Sequence, residues 1–357
     1  MKIRFLSKMP KAGISGGRLL ALMMAVSLRR CGEDVDFLTD EHPDMFGELT
    51  AYSDLKLQKV NLNNLSNQAD RSVDIVVIIP HLKEIDLMGE FVRHAIECRA
   101  KIVLLNFESP NWYNSLSPVK RDPKEWAGWD LASEYSSYIA SISMTGNQFA
   151  KEHYLTVPAG CVFDFFYPSI NTLLADEVPT PAHKTNEIVF LSRYDQHKGF
   201  DLIESLNIPE LAGYRVCMII GNESGKAQQL EIWRDKLQKN GIGLDIHYSI
   251  DSRTKFEILK RASALLFTSK FEGFGYPPLE AAYCLTPVAC SDLPVIREYG
   301  GDAFEYGEPD DITSMSSAIV RALAAPDKVR SAHNRLAGIA GIDPMGKTLQ
   351  RQFHALF

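Results

Sequence analysis

Short apolar runs alternate along this chain with longer stretches whose apolar positions recur at helical spacing. That pattern predicts strands and helices in turn, and so an α/β fold built on parallel sheets. Residues 2–7 read as a strand, 8–15 as a loop, and Gly16-Gly17-Arg18-Leu19-Leu20 as the opening of a helix that lasts to about Arg30, where Gly32 stops it. Residues 34–39 give a second strand, so the chain begins with a βαβ unit, the building block of doubly wound sheets. Further strands follow at 73–80 and 101–106, apolar and β-branched enough for burial on both faces. Residues 141–145 read as another short strand, leading into a helix that ends near Tyr154.

The pattern then breaks and restarts. Residues 168–186 hold Pro168, Pro179 and Pro181 among small and charged residues with no apolar period, which is linker composition. Beyond it, 187–191 is a strand, 192–199 a loop, Gly199 the opening of a helix, 216–220 a strand ended by Gly221, and 230–240 an amphipathic helix. The apolar run 262–268 is short enough for a buried strand, and the end of the chain from about residue 331 is helical with a break at Asp343-Pro344. The expected division is a first doubly wound domain at 1–168, a linker at 169–186, a second domain at 187–335 and a terminal helix at 336–357. Two such lobes joined by a linker imply a cleft, and clefts between domains are common ligand sites.

Composition narrows the class. At 357 residues the chain exceeds what one core usually supports, which also favours two domains. A net charge of −7 argues against a nucleic-acid surface. The six cysteines are scattered without a CxxC pair, which reads as reduced thiols of a cytoplasmic protein with no zinc site. The first residues are too short an apolar run for a signal peptide, and no stretch approaches the roughly 20 apolar residues of a membrane span, so any membrane contact is expected to be peripheral.

The densest candidate chemistry is the stretch SKFEGFGYPPLEAA, Ser269 to Ala282, where a strand hands over to a helix that opens on proline. Gly273 and Gly275 let backbone approach a ligand closely, and free N–H groups at the helix start favour an anion such as phosphate. Glu272 and Glu280 would repel a diphosphate, so they are assigned to hydroxyl groups, and a ligand with phosphates and many hydroxyls is a nucleotide-sugar. The plainer reading makes both carboxylates solvated surface groups. Gly13, Gly16 and Gly17 do not form the dinucleotide fingerprint, so no nicotinamide or flavin cofactor is indicated, although a diglycine at a helix start suits phosphate. His81 and Glu108 fall just past the carboxyl ends of their strands, where open α/β sheets bind ligands. Between Asn111 and Tyr138 lie Trp112, Trp126 and Trp129 with Lys120, Arg121 and Lys124 interleaved. These rings could floor a sugar acceptor, rest at lipid headgroups, or simply pack. Arg193 and Lys198, at the end of the second lobe's first strand, could neutralise a diphosphate and stabilise it as a leaving group.

Together, the segments GGRLLALMMAVSLRRCGEDVDFLT, VPAGCVFDFFYP, FLSRYDQHKGFDLI and EGFGYPPLEAAYCLTPVACSDLPVIREYG resemble the family-4 retaining glycosyltransferases of GT-B fold, glycosyl transferases group 1, over nearly the whole chain. The resemblance implies two Rossmann-like domains facing across a cleft, with the terminal helix returning to the first. It implies a nucleoside diphosphate sugar as donor and a saccharide or lipid-linked acceptor, with no separate cofactor and no metal. Glu272 would contact donor-sugar hydroxyls, Glu280 the ribose, and the backbone of Gly273, Phe274 and Gly275 the sugar and diphosphate. Arg193 and Lys198 would hold the leaving diphosphate, with Gly16 and Gly17 approaching it. Asp34 and Asp36 lie inside the second strand and are not read as a metal-binding DxD. Two departures stand out: Asn106-Phe107-Glu108-Ser109 replaces the family's frequent His-Asp pair, and Leu285 replaces a glycine after the helix, read as a packing variation. The rival readings are an epimerase or phosphorylase of the same fold, and a non-catalytic sugar-nucleotide-binding protein.

Overall fold

The computed structural model describes residues 1–12, 15–193, 195–221 and 227–357. The chain forms two compact units. One comprises residues 1–115, 120–171 and 339–357, the other 116–119 and 172–338.

In the first unit seven strands, β1 (Lys2–Leu6), β2 (Asp34–Thr39), β3 (Leu57–Lys59), β4 (Ile75–Ile78), β5 (Lys101–Asn106), β6 (Tyr138–Ser141) and β7 (Val162–Phe165), build one parallel sheet in the order 3-2-1-4-5-6-7. The central strands are buried on both faces because helices cover each side; Ile75, Val76, Val77 and Ile78 have no exposed surface. Leu20 to Leu28 of the helix Gly16–Arg30 are buried without interruption, since the helix Ile342–His354 covers it with Met345, Leu349 and Phe353. Phe353 also meets Tyr138 of β6 edge to face, with ring centroids 6.2 Å apart. Each such side chain withdrawn from water contributes about 1.5–3 kcal/mol.

The second unit repeats the design. Its strands β8 (Thr185–Ser192), β9 (Arg215–Ile220), β10 (Gly243–Tyr248), β11 (Ala262–Phe267), β12 (Val288–Ser291) and β13 (Glu305–Gly307) are parallel in the order 10-9-8-11-12-13. In both units the winding reverses beside the first strand, between β1 and β4 and between β8 and β11. At such a point the loops leaving the carboxyl ends diverge and open a crevice.

Several expectations are corrected. The strand placed at 141–145 lies at Tyr138–Ser141; Ser143 instead caps the helix Met144–His153, its hydroxyl accepting from Gly146 N–H at 2.9 Å. No α-helix opens at Gly199: Phe200–Leu206 forms 3₁₀ turns, and a further 3₁₀ turn follows at Pro209–Leu211. The break in the terminal helices falls at Gly341, and Pro344 sits in the first turn of the following helix, where its missing N–H is not needed. The stretch read as linker contains a helix, Thr172–Glu177, with Leu174 and Ala175 buried. Trp112, Trp126 and Trp129 are interior, none more than 3% exposed, and Trp126 packs on Tyr113 and Trp129. These three rings therefore pack, and present no face to an acceptor or a lipid headgroup.

Among the described residues no helix is long and apolar enough to cross a membrane, and no cluster of three metal-ligating side chains forms. Asp36 is held by both sides of the Arg4 guanidinium, at 2.9 and 2.7 Å, and Asp34 lies 3.5 Å from Arg29.

Candidate functional site

At the reversal point of the second sheet, the loop after β8 is stitched to the loop after β11. Thr268 Oγ1 donates to the carbonyls of Gly199 (2.8 Å) and Lys198 (3.2 Å), and Lys270 N–H donates to the His197 carbonyl at 2.8 Å. The contact needs glycine at 199: φ is +60°, and a Cβ there would lie 2.1 Å from the Thr268 carbonyl oxygen. Tyr194, in the same loop, lies outside the described residues. His197 is buried against Asp195, its Nδ1 2.9 Å from Oδ1; burial lowers the imidazole pKa, the neighbouring Lys198 adds to that, and the ring stays neutral.

This stitching brings Lys198 Nζ within 2.5 Å of Glu272 Oε1, each side chain 13% exposed. Of the charged groups assigned to the donor from the sequence, Lys198 and Glu272 touch. Lys270, two residues before Glu272, is paired instead with Asp310 and lies 3.7 Å from Asp201. Arg193 is exposed at the end of β8, its stem beside Gly221, and among the described residues it has no ion-pair partner.

Beyond Glu272, Gly273 is half-buried and Phe274 packs between Tyr299 and Tyr276, with ring centroids at 5.0 and 5.8 Å. The Tyr299 hydroxyl donates to the Gly275 carbonyl at 2.6 Å, which fixes the turn where Gly275, at φ +88°, caps the helix Tyr276–Tyr283. The helix therefore begins one residue before the prolines. Pro277 and Pro278 carry no N–H, so two of the four free donors counted on at the helix start to hold an anion do not exist, and Gly275 and Tyr276 supply what remains. Glu280 lies on this helix, 6% exposed, with Oε1 accepting from Lys255 Nζ at 2.6 Å. Leu285, after the helix, has φ +54°, a left-handed conformation; the backbone explains a glycine at that place better than packing does.

The first unit assembles a separate set at its own reversal point. Gly16 is exposed at the helix start; Gly17 lies under Phe107, where a Cβ would be 2.9 Å from a ring carbon. Gly13 lies outside the described residues. His81, past the end of β4, has Lys8 N–H 3.1 Å from Nε2 and Arg18 Nη2 2.8 Å from Nδ1. Burial drives the imidazole far below its ordinary pKa and brings Arg18 down to about 10. Glu108 is paired with Arg121 at 3.1 Å, and Arg121 also lies over the Tyr113 ring. Sequence reading passed over Arg18, though it follows the diglycine directly, and Lys255, for which no local signal exists.

Residues 175–336 match the family model of glycosyl transferases group 1, a span that includes both loops of the second unit. Over 80 residues the chain is 40% identical to the O-antigen chain mannosyltransferase RfbU of Salmonella typhimurium, covering 22% of this chain and 23% of that protein. Over 62 residues it is 39% identical to the O-antigen chain mannosyltransferase B of Escherichia coli, covering 17% and 16%. These matches thus span less than a quarter of either relative. Anabaena Alr3699/HepE matches over 99% of this chain and 100% of its own, with TM-scores of 0.77 for its complex with UDP and 0.75 for that with UDP-glucose, at 14% and 13% identity. That likeness is one of fold, two doubly wound α/β units of GT-B type. It is through residues 175–336 that this chain resembles the glycosyl transferases group 1.

Proposed function

We propose that this protein is a retaining glycosyltransferase that moves a sugar from a nucleoside diphosphate sugar to a hydroxyl of a saccharide or lipid-linked acceptor, in the cytoplasm or at the inner face of a membrane. The observation that carries the reading is the Lys198–Glu272 pair at the reversal point of the second sheet, within the segment that matches the family. The UDP and UDP-glucose held by the HepE structures, and the mannosyl transfer named for the two relatives, support a nucleotide-sugar donor.

On this reading Lys198 and Arg193 take the diphosphate. Negative charge on it grows as the bond to the sugar breaks, so cations there stabilise the transition state more than the ground state, and they do this work without a metal. Glu272, released by Lys198, accepts hydrogen bonds from the donor-sugar hydroxyls, and Glu280 does the same for the ribose. Backbone of Gly273, Phe274 and Gly275 lines the diphosphate and sugar, and Gly16, Gly17, His81 and Glu108 are the substrate-binding residues of the first unit.

The test is nucleotide release from UDP-, GDP-, ADP- and dTDP-sugars, followed by the configuration of the product. Glu272→Gln should lower turnover by about 10²–10³-fold, the effect of removing one group that binds the transition state, while the melting temperature moves little. Unchanged turnover removes Glu272 from the mechanism. Tight binding with no release from any donor would favour a binding protein, and donor consumption without a new glycoside would favour an epimerase or phosphorylase.

A further inference from the structure

We infer that Lys255 is a positioning residue for Glu280: it pins one carboxylate oxygen so that the other is presented to the vicinal hydroxyls of a nucleotide's ribose. This rests on the proposed function. Lys255 lies on the helix Ser252–Arg261, whose start is fixed by Asp251 accepting from Thr254 N–H at 2.7 Å, and this helix packs on the one that carries Glu280. The Lys255 Nζ to Glu280 Oε1 distance is 2.6 Å, with the side chains 17% and 8% exposed.

A carboxylate can only accept hydrogen bonds, and the Lys255 ammonium occupies one oxygen of this one. It therefore selects hydroxyl donors. Among the described residues Oε2 has no partner, and the Tyr276 hydroxyl, one turn earlier on the helix, is buried without a hydrogen bond. The Lys198–Glu272 and Lys255–Glu280 pairs are thus different devices. Lys198 stands in a loop and can turn to a diphosphate, whereas Lys255 and Glu280 both stand on helices and stay together when ligand arrives.

Calorimetric titration of the full chain with UDP, GDP and ADP, and with the 2′,3′-dideoxy form of whichever binds, tests this. Lys255→Gln should weaken the parent nucleotide about tenfold and leave its dideoxy form within about twofold, because the lost contact is to the ribose hydroxyls. Lys255→Arg should restore most of the affinity. The double variant Lys255→Gln/Glu280→Gln leaves no buried charge unpaired, and should bind the parent nucleotide no worse than Glu280→Gln alone. Equal weakening of the parent and dideoxy forms, no weakening of either, or a double variant worse than Glu280→Gln overturns the inference while the proposed function stands. A wild-type protein that binds none of the three nucleotides overturns both.

Discussion

Replacing Gly199 with alanine should disable the site far more than it destabilises the fold, and a paired substitution isolates the reason. Gly199 and Gly213 both have positive φ, at +60° and +86°, but a Cβ at 213 meets nothing within 4 Å, whereas one at 199 lies 2.1 Å from the Thr268 carbonyl oxygen. The left-handed conformation costs alanine about 1–2 kcal/mol, and the stiffer unfolded chain returns about 0.4–1 kcal/mol, so Gly213→Ala should cost about 1 kcal/mol. Gly199→Ala adds overpacking, about 1–3 kcal/mol more. Real Cβ contacts almost never fall under 3.0 Å, so the loops carrying Lys198 and Glu272 must also part by about 0.9 Å. A displacement of that size in a catalytic group costs about 10²-fold in rate. Thermal denaturation beside nucleotide release from the preferred donor reads both quantities. Gly213→Ala should melt a few degrees lower with near-normal turnover, and Gly199→Ala should melt lower still with about one per cent of it. If the two variants retain the same turnover, the stitching of the two loops does not position the chemistry, and the reasoning fails.

Two further outcomes concern stability. Burial holds the imidazoles of His81, His94 and His197 below their ordinary pKa of 6.5, so they bind protons less readily in the fold than in the unfolded chain. Their stabilisation is complete above pH 6.5 and falls as the pH drops below it, by up to about 1.4 kcal/mol per pH unit for each ring. Urea denaturation between about pH 7 and pH 5.5 should show that fall, and His94→Gln should flatten it by up to one proton; an unchanged slope refutes the assignment. Leu285→Gly relieves about 1–2 kcal/mol of left-handed strain and gives back a similar amount in chain entropy and half-buried packing, so its urea midpoint should move by less than about 1 kcal/mol equivalent. A loss of 2 kcal/mol or more, the range of a core leucine truncation, would make Leu285 a packing residue after all.

The α/β class was legible because the central strands are apolar runs buried on both faces, as at 75–78 and 262–267. Strands β3 and β13 carry too little pattern in three residues at a sheet edge, and the half-buried, mixed run Val162–Phe165 becomes a strand by pairing with β6. Lys198 and Glu272 could be picked out as loop residues beside strand ends, but not their contact, which depends on parallel neighbours 74 residues apart in the chain. The Lys255–Glu280 pair joins two helices across 25 residues and had no signal at all. Pro277-Pro278 was the reverse case: the missing donors were written in the sequence, and only the true helix start, one residue earlier, showed which positions they occupy.

The helix Ile342–His354 closes the first unit from a distant part of the sequence. While a ribosome has delivered only residues 1–171, the face of the helix Gly16–Arg30 and the Tyr138 ring have nothing to cover them, and this half must wait. The second unit, nearly continuous in sequence, can finish before it, which inverts the usual order of synthesis from the amino end. A circular permutant that joins residues 339–357 ahead of Met1 would let the waiting half mature on its own.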